Sequence, residues 1–392
     1  MNPLLSLIIP TKNRYEYLQI VLEILATIKD VDLEIVIQDN SDESESRQVF
    51  LVSVSKLNDS RIKYFYCNEI LSINENSDKA VLNSKGKFVC FIGDDDCVTT
   101  NIYDAAAWME RESVDVLTFF CPSYIWSDVE YKHLSKKHTG LLSFKRPTAK
   151  VIEKDPKKSL LRLLNDGGRN ISEMPQLYHG IASRTVLDKI FEKTGSYFPG
   201  SVPDMDVAVG LSLYAGKCLK IDVPMVIAGT AKRSAGGLGA AKMHKGDVKK
   251  ISMLPKDTAA TWNPNIPFFW SGPTIHADSI SKCLTRTGNQ DLLDKFNYNY
   301  LYALLFIFHS DYNQETCRVL KLNNKTSKLH IIYYGSGLFL NRAFSFINNR
   351  LPEFLQIKND MVKIRISNIK EVVNYLDGIM EVMTLPWNVN NR

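Results

Sequence analysis

The sequence predicts an α/β fold, a mostly parallel sheet flanked by helices, followed by a mainly helical carboxyl-terminal region. Two observations predict it. Short apolar runs alternate with stretches of helical periodicity over the first 120 residues, the β-α-β pattern that gives parallel strands and right-handed crossovers. Successive strands also end in polar residues, Thr11 to Arg14, then Asp39 to Ser41, then Asp94 to Asp96. In an open α/β sheet those carboxyl ends line the ligand crevice.

Taken in order, Leu4 to Pro10 is a continuous apolar run closed by a proline, as in a strand buried on both faces. A helix opens near Tyr15 and places Leu18, Val21, Leu22 and Leu25 on one side. Glu34 to Ile37 is the next strand, Arg47 to Leu57 a weakly periodic helix, and Arg61 to Tyr66 a third strand. A helix from Glu75 to Ser84 leads to the strand Phe88 to Ile92, which runs into Gly93 and the acidic triplet. Asp104 to Arg111 is helical and Val114 to Phe120 a strand. Further on, Val207 to Leu213 reads as a helix and Pro224 to Ile227 as a strand. Lys256 to Pro273 is a connector. Beyond it, Leu293, Phe296, Tyr300, Leu304 and Ile307 form one helical stripe, and Val372, Leu376, Ile379 and Met383 another. The expected division is residues 1–248 as an α/β domain, itself split at 120/121, and 249–392 as a helical region.

Composition narrows the function classes. Of 392 residues, 45% are hydrophobic and 23% charged, as in an ordinary soluble protein. The net charge of +5 is mild, and no basic run interleaved with aromatics suggests a nucleic-acid partner. A weakly basic surface suits a phosphate-bearing substrate or an anionic membrane face. Seven cysteines, with no CxxC pair, read as reduced packing residues rather than a disulfide framework or zinc site. The longest apolar run, Tyr300 to Phe308, is far below the ~20 residues that span a bilayer. A cytoplasmic protein is expected, with peripheral membrane association at the inner face left open. A GxGxxG after the first strand and a GxxxxGK[ST] loop are both missing, which argues against a dinucleotide dehydrogenase and a P-loop NTPase.

Three adjacent carboxylates repel one another, so Asp94, Asp95 and Asp96 gain nothing in stability by clustering. They become useful around a hard cation such as Mg²⁺ or Mn²⁺, which takes oxygen ligands from one or two carboxylates and from a substrate's phosphates. Gly93 would turn the backbone so that they face the cleft.

These motifs resemble family 2 glycosyltransferases, which have the type A nucleotide-sugar (GT-A) fold with a Rossmann-like sheet. The resemblance rests on LSLIIPTKNR, EIVIQDNSDES and NSKGKFVCFIGDDD, and more loosely on PDMDVA (Pro203 to Ala208) and KIDVPMVIAGTAKRSAGG (Lys220 to Gly237). It covers residues 4 to 240, and its motif order is that of bacterial surface-polysaccharide members building O-antigen or capsule. It implies a nucleotide-binding half up to residue 120 and an acceptor half to 248. Pro10, Thr11, Asn13 and Arg14 would lie beside the nucleotide. Asp39 would accept a hydrogen bond from a uracil-type base, with Asn40 and Ser41 close by. Asn76 and Lys79 would border the ribose and diphosphate. Asp94 to Asp96 would be the DXD-type motif, Asp94 nearer the ribose or donor sugar and shared with the metal, Asp95 in either register, and Asp96 on the metal. The donor would be a nucleotide-diphosphate sugar, most simply a UDP-sugar, and the acceptor a saccharide or lipid-linked hydroxyl.

Two demands remain. The leaving diphosphate gains charge, which a divalent cation stabilises by several kcal/mol, and the acceptor hydroxyl must lose a proton to a placed carboxylate. Asp204 is the first candidate for that base and Asp206 the reserve, although Asp204 reads equally well as a helix cap. The resemblance implies inversion at the anomeric carbon. Lys232, Arg233 and Ser234, in a loop with Gly236, Gly237 and Gly239, could meet the diphosphate or be a solvated loop. His244 is a candidate metal or phosphate contact, and His179 with Gly180 a candidate acceptor border; both read as well as ordinary histidines. The carboxyl-terminal helices would complete the acceptor site, form a homo-oligomer, or rest on the membrane. Competing readings are a non-catalytic scaffold of the same fold and a nucleotidyl- or sugar-phosphate transferase.

Overall fold

The computed structural model describes residues 2–129, 138–234, 236–237, 245–348, 350 and 360–388. The first half runs β1 (Leu5–Thr11), α1 (Tyr15–Leu25), β2 (Leu33–Asp39), α2 (Ser44–Leu57), β3 (Ile62–Tyr66), α3 (Ile73–Leu82), β4 (Phe88–Phe91), β5 (Cys97–Val98), α4 (Ile102–Arg111), β6 (Val116–Phe119), β7 (Ser123–Ile125), β8 (Leu141–Lys145), β9 (Val151–Lys154) and α5 (Pro156–Asn165). Then come β10 (Gly180–Ser183), α6 (Arg184–Thr194), α7 (Pro203–Tyr214), β11 (Cys218–Ile221) and β12 (Val226–Thr230). The rest is α8 (Gly272–Arg286), α9 (Gln290–Leu293), α10 (Tyr298–Phe308), α11 (Asn313–Leu322), α12 (Lys328–Asn348), β13 (Met361–Arg365) and α13 (Ile369–Glu381).

The main sheet has the order β3-β2-β1-β4-β10-β6-β11-β9. Its β3-β2-β1-β4 half is parallel, as the alternation predicts. Beyond β4 it is mixed, because β10 inserts antiparallel between β4 and β6. A four-residue strand read as GIAS carries too little apolar signal to announce itself in the sequence. A second sheet, β13-β8-β7-β12-β5, flanks the first. Alternating residues of the buried strands serve opposite faces. Leu5, Leu7 and Ile9 of β1 pack with Leu18, Leu22 and Leu25 of α1. Ile8, Val36 and Val89 pack on the other side with Leu187, Ile190 and Val207.

The expected division at 248/249 does not follow the packing. Leu160 and Leu164 of α5 and Met205 and Val209 of α7 share one core with Ile280 and Leu284 of α8 and Leu301 and Leu305 of α10. The end of the chain returns to the first core: β13 pairs antiparallel with β8, and Ile369, Val372 and Leu376 of α13 join the β1 side. Apolar faces on α5, α7 and α13 need partners that are distant in sequence, so the cores interleave. The stripe Leu293 to Ile307 is two helices, because Asn297 caps α10 by accepting from the Tyr300 N–H at 3.1 Å. Cys90, Cys97, Cys218 and Cys283 are buried free thiols.

Candidate active site

The carboxyl ends of β1, β2 and β3 bring one row of residues together. Thr11 is in register with Asp39, and Asp39 with Tyr66. Where β4 ends, Ile92 still bonds Ile8, and the chain turns through Gly93 into the triplet. Thr11 Oγ1 donates to Asp94 Oδ2 at 2.7 Å, which ties β1 to the triplet.

All three carboxylates are buried: Asp94 is 0% exposed, Asp95 3% and Asp96 1%. They do not face an open cleft, as the sequence reading expects, because Arg14 covers them. Its Nη2 lies 2.7 Å from Asp94 Oδ1, its Nε donates to Asp94 Oδ2 at 3.1 Å, and its Nη1 lies 3.5 Å from Asp95 Oδ1. Asp94 Oδ1 has this ion pair but no aligned hydrogen bond. Burial pushes the Asp94 pKa up, against the pull of Arg14 and Thr11. Burial and then the Asp96 charge push Asp95 up to about 7. Desolvation opposes charge on Arg14, but Asp94 and Asp95 outweigh it and hold the guanidinium charged.

Asp96 is held differently. Its Oδ2 accepts from the Gly93 N–H at 2.7 Å and from Tyr178 Oη at 2.8 Å, and meets His179 Nε2 at 2.8 Å. Its Oδ1 accepts from the Gly229 N–H at 2.7 Å. Burial raises its pKa, yet His179 and the two backbone donors outweigh burial and hold it below the usual carboxylate range. Strand β12 braces the triplet from below. A Cβ on Gly229 would stand 1.7 Å from the Asp95 carbonyl oxygen, so only glycine fits there. The Ala231 N–H donates to Asp95 Oδ2 at 2.9 Å, and Trp126 Nε1 to the Asp95 carbonyl at 2.9 Å.

The other candidates fall into groups. Asn13, with a left-handed φ of 56°, donates its N–H to Ser41 Oγ at 2.7 Å. Pro10 is the penultimate residue of β1, opposite Gln38. Asp39 is wholly buried and accepts from Tyr15 and Tyr64 hydroxyls, each at 2.6 Å, and from the Ser41 N–H at 2.8 Å. Burial first, and then Asp39, push both phenol pKa values up, so both stay donors. Asn40 is spent on backbone: it donates to the Cys67 and Glu69 carbonyls and accepts from the Leu71 N–H. Asn76 leans on the Thr11 and Gln38 carbonyls at 3.4 and 3.5 Å, and its buried Oδ1 has no hydrogen-bond partner. Lys79 follows one turn later, half-buried. Arg233 pairs with Glu16 and Glu43 at 3.5 and 3.8 Å, while Ser234 is buried and bonded to Ala231 and Gly237. Lys232 is exposed beside Asp128. His244 and Gly239 lie outside the described residues.

The two base candidates separate. Helix α7 starts with Pro203 at its first position and Val202 at the cap, so Asp204 is not the cap. Asp204 is partly exposed and accepts from the Met205 N–H at 2.8 Å. Asp206 is wholly buried, with Oδ2 accepting from Asn74 Nδ2 of α3 at 2.7 Å. Burial pushes its pKa well up, and Ser279, Gly200 and Asn74 offset only part of that. The approach to α7 is fixed by α8. Ser279 Oγ accepts from the Ser201 and Val202 N–H groups at 3.0 and 2.9 Å. The buried Lys282–Asp278 pair, at 2.8 Å, grips Ser201 Oγ.

Whether a divalent cation fits can be tested on these residues. Among the described residues no three His, Cys, Asp or Glu side chains converge on one point. The donors are instead oxygen-only and few: Asp94 Oδ1 without an aligned hydrogen bond, Asp95, and Asp96 Oδ1. Asp96 Oδ2 is already occupied by three donors. A set of this kind suits a cation that shares its remaining positions with phosphates and water.

Residues 6–172 match the family model described as glycosyl transferase family 2. The matched segment, a little under half of the chain, is similar to a family 2 glycosyltransferase domain. Its architecture is of the GT-A type, with the triplet at the end of β4 inside the matched range. The chain is also similar to solved structures of S. aureus TarS. For TarS 1-349 the identity is 18% with a TM-score of 0.42, over 58% of this chain and 60% of that one. For TarS 1-349 in complex with UDP-GlcNAc it is 16% with a TM-score of 0.46, over 81% and 89%. The chain thus spans about three fifths of the length of the first of these. No curated protein sequence matches it.

The tyrosines at the site escaped the sequence reading. Tyr15 and Tyr64 meet at Asp39 through the β2–β3 register, and Tyr178 reaches Asp96 because β10 lies against β4. The LYHG segment offers His179 and Gly180 as sequence signals and none for Tyr178.

Proposed function

We propose that the chain is an inverting glycosyltransferase that moves a hexosyl-type unit from a nucleoside-diphosphate sugar to a hydroxyl of a saccharide or lipid-linked acceptor in surface-polysaccharide synthesis. The reaction is placed in the cytoplasm, at the inner face of the membrane. The observation that carries this reading is the buried triplet beneath Arg14, at the carboxyl ends of β1 and β4, within the segment similar to a family 2 domain. A uridine-type donor is favoured because Asp39 Oδ1 has one bond from Ser41 and capacity for another, which suits an imide N–H.

In this reading Arg14, Lys79, Lys232 and Arg233 surround the diphosphate, and Asn76 Oδ1 meets a sugar or ribose hydroxyl. One or two of the Asp94, Asp95 and Asp96 carboxylates would hold a divalent cation, which when bound supplies charge stabilisation for the leaving diphosphate. Asp204 takes the proton of the acceptor hydroxyl as it attacks, and the bond to the diphosphate oxygen breaks on the opposite side of the sugar carbon. Asp206, Asn74 and the Ser201–Asp278–Lys282 cluster keep the start of α7 in place. The test is release of nucleoside diphosphate from a panel of nucleotide sugars, with and without Mn²⁺. Release with one donor, dependent on metal, is expected. No release and no metal-linked nucleotide binding across the panel would refute the reading.

A further inference from the structure

Helix α12 is built inside out. Ile331 and Leu338, seven residues apart, are buried in the core shared with α10. Leu329, Ile332, Tyr333, Leu340, Phe344 and Ile347 are each more than half exposed. Counted from Leu329 they fall at i, i+3, i+4, i+11, i+15 and i+18, the spacing of a single helical stripe. The stripe therefore points to solvent, and scattered exposure of single apolar residues does not produce such a pattern. Among the described residues no helix is long and apolar enough to cross a membrane, so α12 is suited to lie along a surface.

Charge selects that surface. Between Glu315 and Glu353 the sequence has six cations, Arg318, Lys321, Lys325, Lys328, Arg342 and Arg350, and no acid. The net charge of the whole chain is +5, so this stretch carries all of the excess and the remainder is close to neutral. Arg318 and Lys325 are paired with Glu315 and Asp294, while Lys321 and Lys328 are exposed. A second copy of the chain would bring like charges together around the stripe. An anionic lipid surface offers apolar depth for the stripe and opposite charge for its rim.

We propose that α12 is an in-plane anchor that seats the protein on an anionic lipid bilayer through its outward stripe. The proposal rests on the membrane-face location proposed above and assigns the surface responsible. The experiment is flotation of the full chain with vesicles of phosphatidylcholine alone or mixed with phosphatidylglycerol. Co-flotation is expected with the mixed vesicles only, and it should weaken with added salt. Leu340→Ser with Phe344→Ser should lower the bound fraction about tenfold, and Lys321→Glu with Lys328→Glu should do the same with the stripe intact. Far-ultraviolet dichroism and nucleotide binding should be unchanged in both variants, which separates loss of anchoring from loss of fold or of transferase function. Failure of the wild-type protein to float with anionic vesicles would overturn the proposal. So would a wild-type dimer in sedimentation that Leu340→Ser with Phe344→Ser splits, because the stripe would then be an interface between copies.

Discussion

His179 Nε2 lies 2.8 Å from Asp96 Oδ2, and His179 reaches it from a left-handed backbone with φ of 63°. A non-glycine residue there costs about 1–2 kcal/mol. The contact with Asp96, the tilted ring contact with Tyr178 at 3.9 Å between centroids, and the N–H bond to the Phe91 carbonyl offset that strain.

Asp96 is therefore a structural node as well as a candidate metal ligand. Asp96→Ala would strip the Gly93 and Gly229 N–H groups and Tyr178 of their acceptor in a buried site. A stability loss of about 3–5 kcal/mol is expected, as for breaking a buried charged pair, read by urea unfolding. A loss below about 1 kcal/mol would show that water replaces the carboxylate and that the node is weak.

Asp78 on α3 gives a pH-dependent prediction. It accepts from Ser196 Oγ and the Tyr197 N–H, each at 2.7 Å, next to Phe198, whose carbonyl accepts from Asn74. Burial, with a smaller push from Glu75, raises its pKa from 3.8 to about 6 against those hydrogen bonds. Below 3.8 the carboxyl is neutral folded or unfolded, and above about 6 it is ionised in both. Between these values the folded state keeps a proton that the unfolded state releases, so stability falls as pH rises. Asp78→Asn should remove a slope worth about 2 kcal/mol between pH 4 and 6. Identical pH profiles for the two proteins in chemical denaturation would refute it.

Strand ends were legible in the sequence because an apolar run followed by polar residues has one cheap arrangement: the run in the sheet, the polar residues at its edge. That logic placed Thr11, Asp39 and Asp94 in one row. It stopped where a contact depends on chain reversal or on distant helices. The Tyr178 and His179 contacts with Asp96 require the short antiparallel β10. The burial of Asp206 requires Asn74, 132 residues away, and a loop held by Ser279 of α8. Arg14 was read as a nucleotide contact, but its place over Asp94 and Asp95 follows from three-dimensional charge balance that spacing does not encode.

The choice of base turns on the same distant packing. Asp206 is sealed between α3, α7 and α8, and burial favours its protonated form, so it is poorly suited to accept a proton from an acceptor. Asp204, two residues closer to the start of α7, keeps a partly exposed carboxylate whose one described bond is to the Met205 N–H. An asparagine at 204 can accept that same bond, and Val202 holds the cap, so Asp204→Asn should leave stability within about 1 kcal/mol of wild type. Turnover should fall at least ~10²-fold with donor affinity unchanged. Asp206→Ala should instead cost about 1–3 kcal/mol by removing the shortest of the three acceptors of Asn74 Nδ2, with the Phe198 and Gly200 carbonyls remaining, and should affect turnover only through the position of α7. The reverse pattern, stability lost at 204 and chemistry lost at 206, would reassign the base. Inversion itself is read from the anomeric configuration of the product by NMR. An α-linked product from an α-linked donor would remove the need for any base on this side of the sugar.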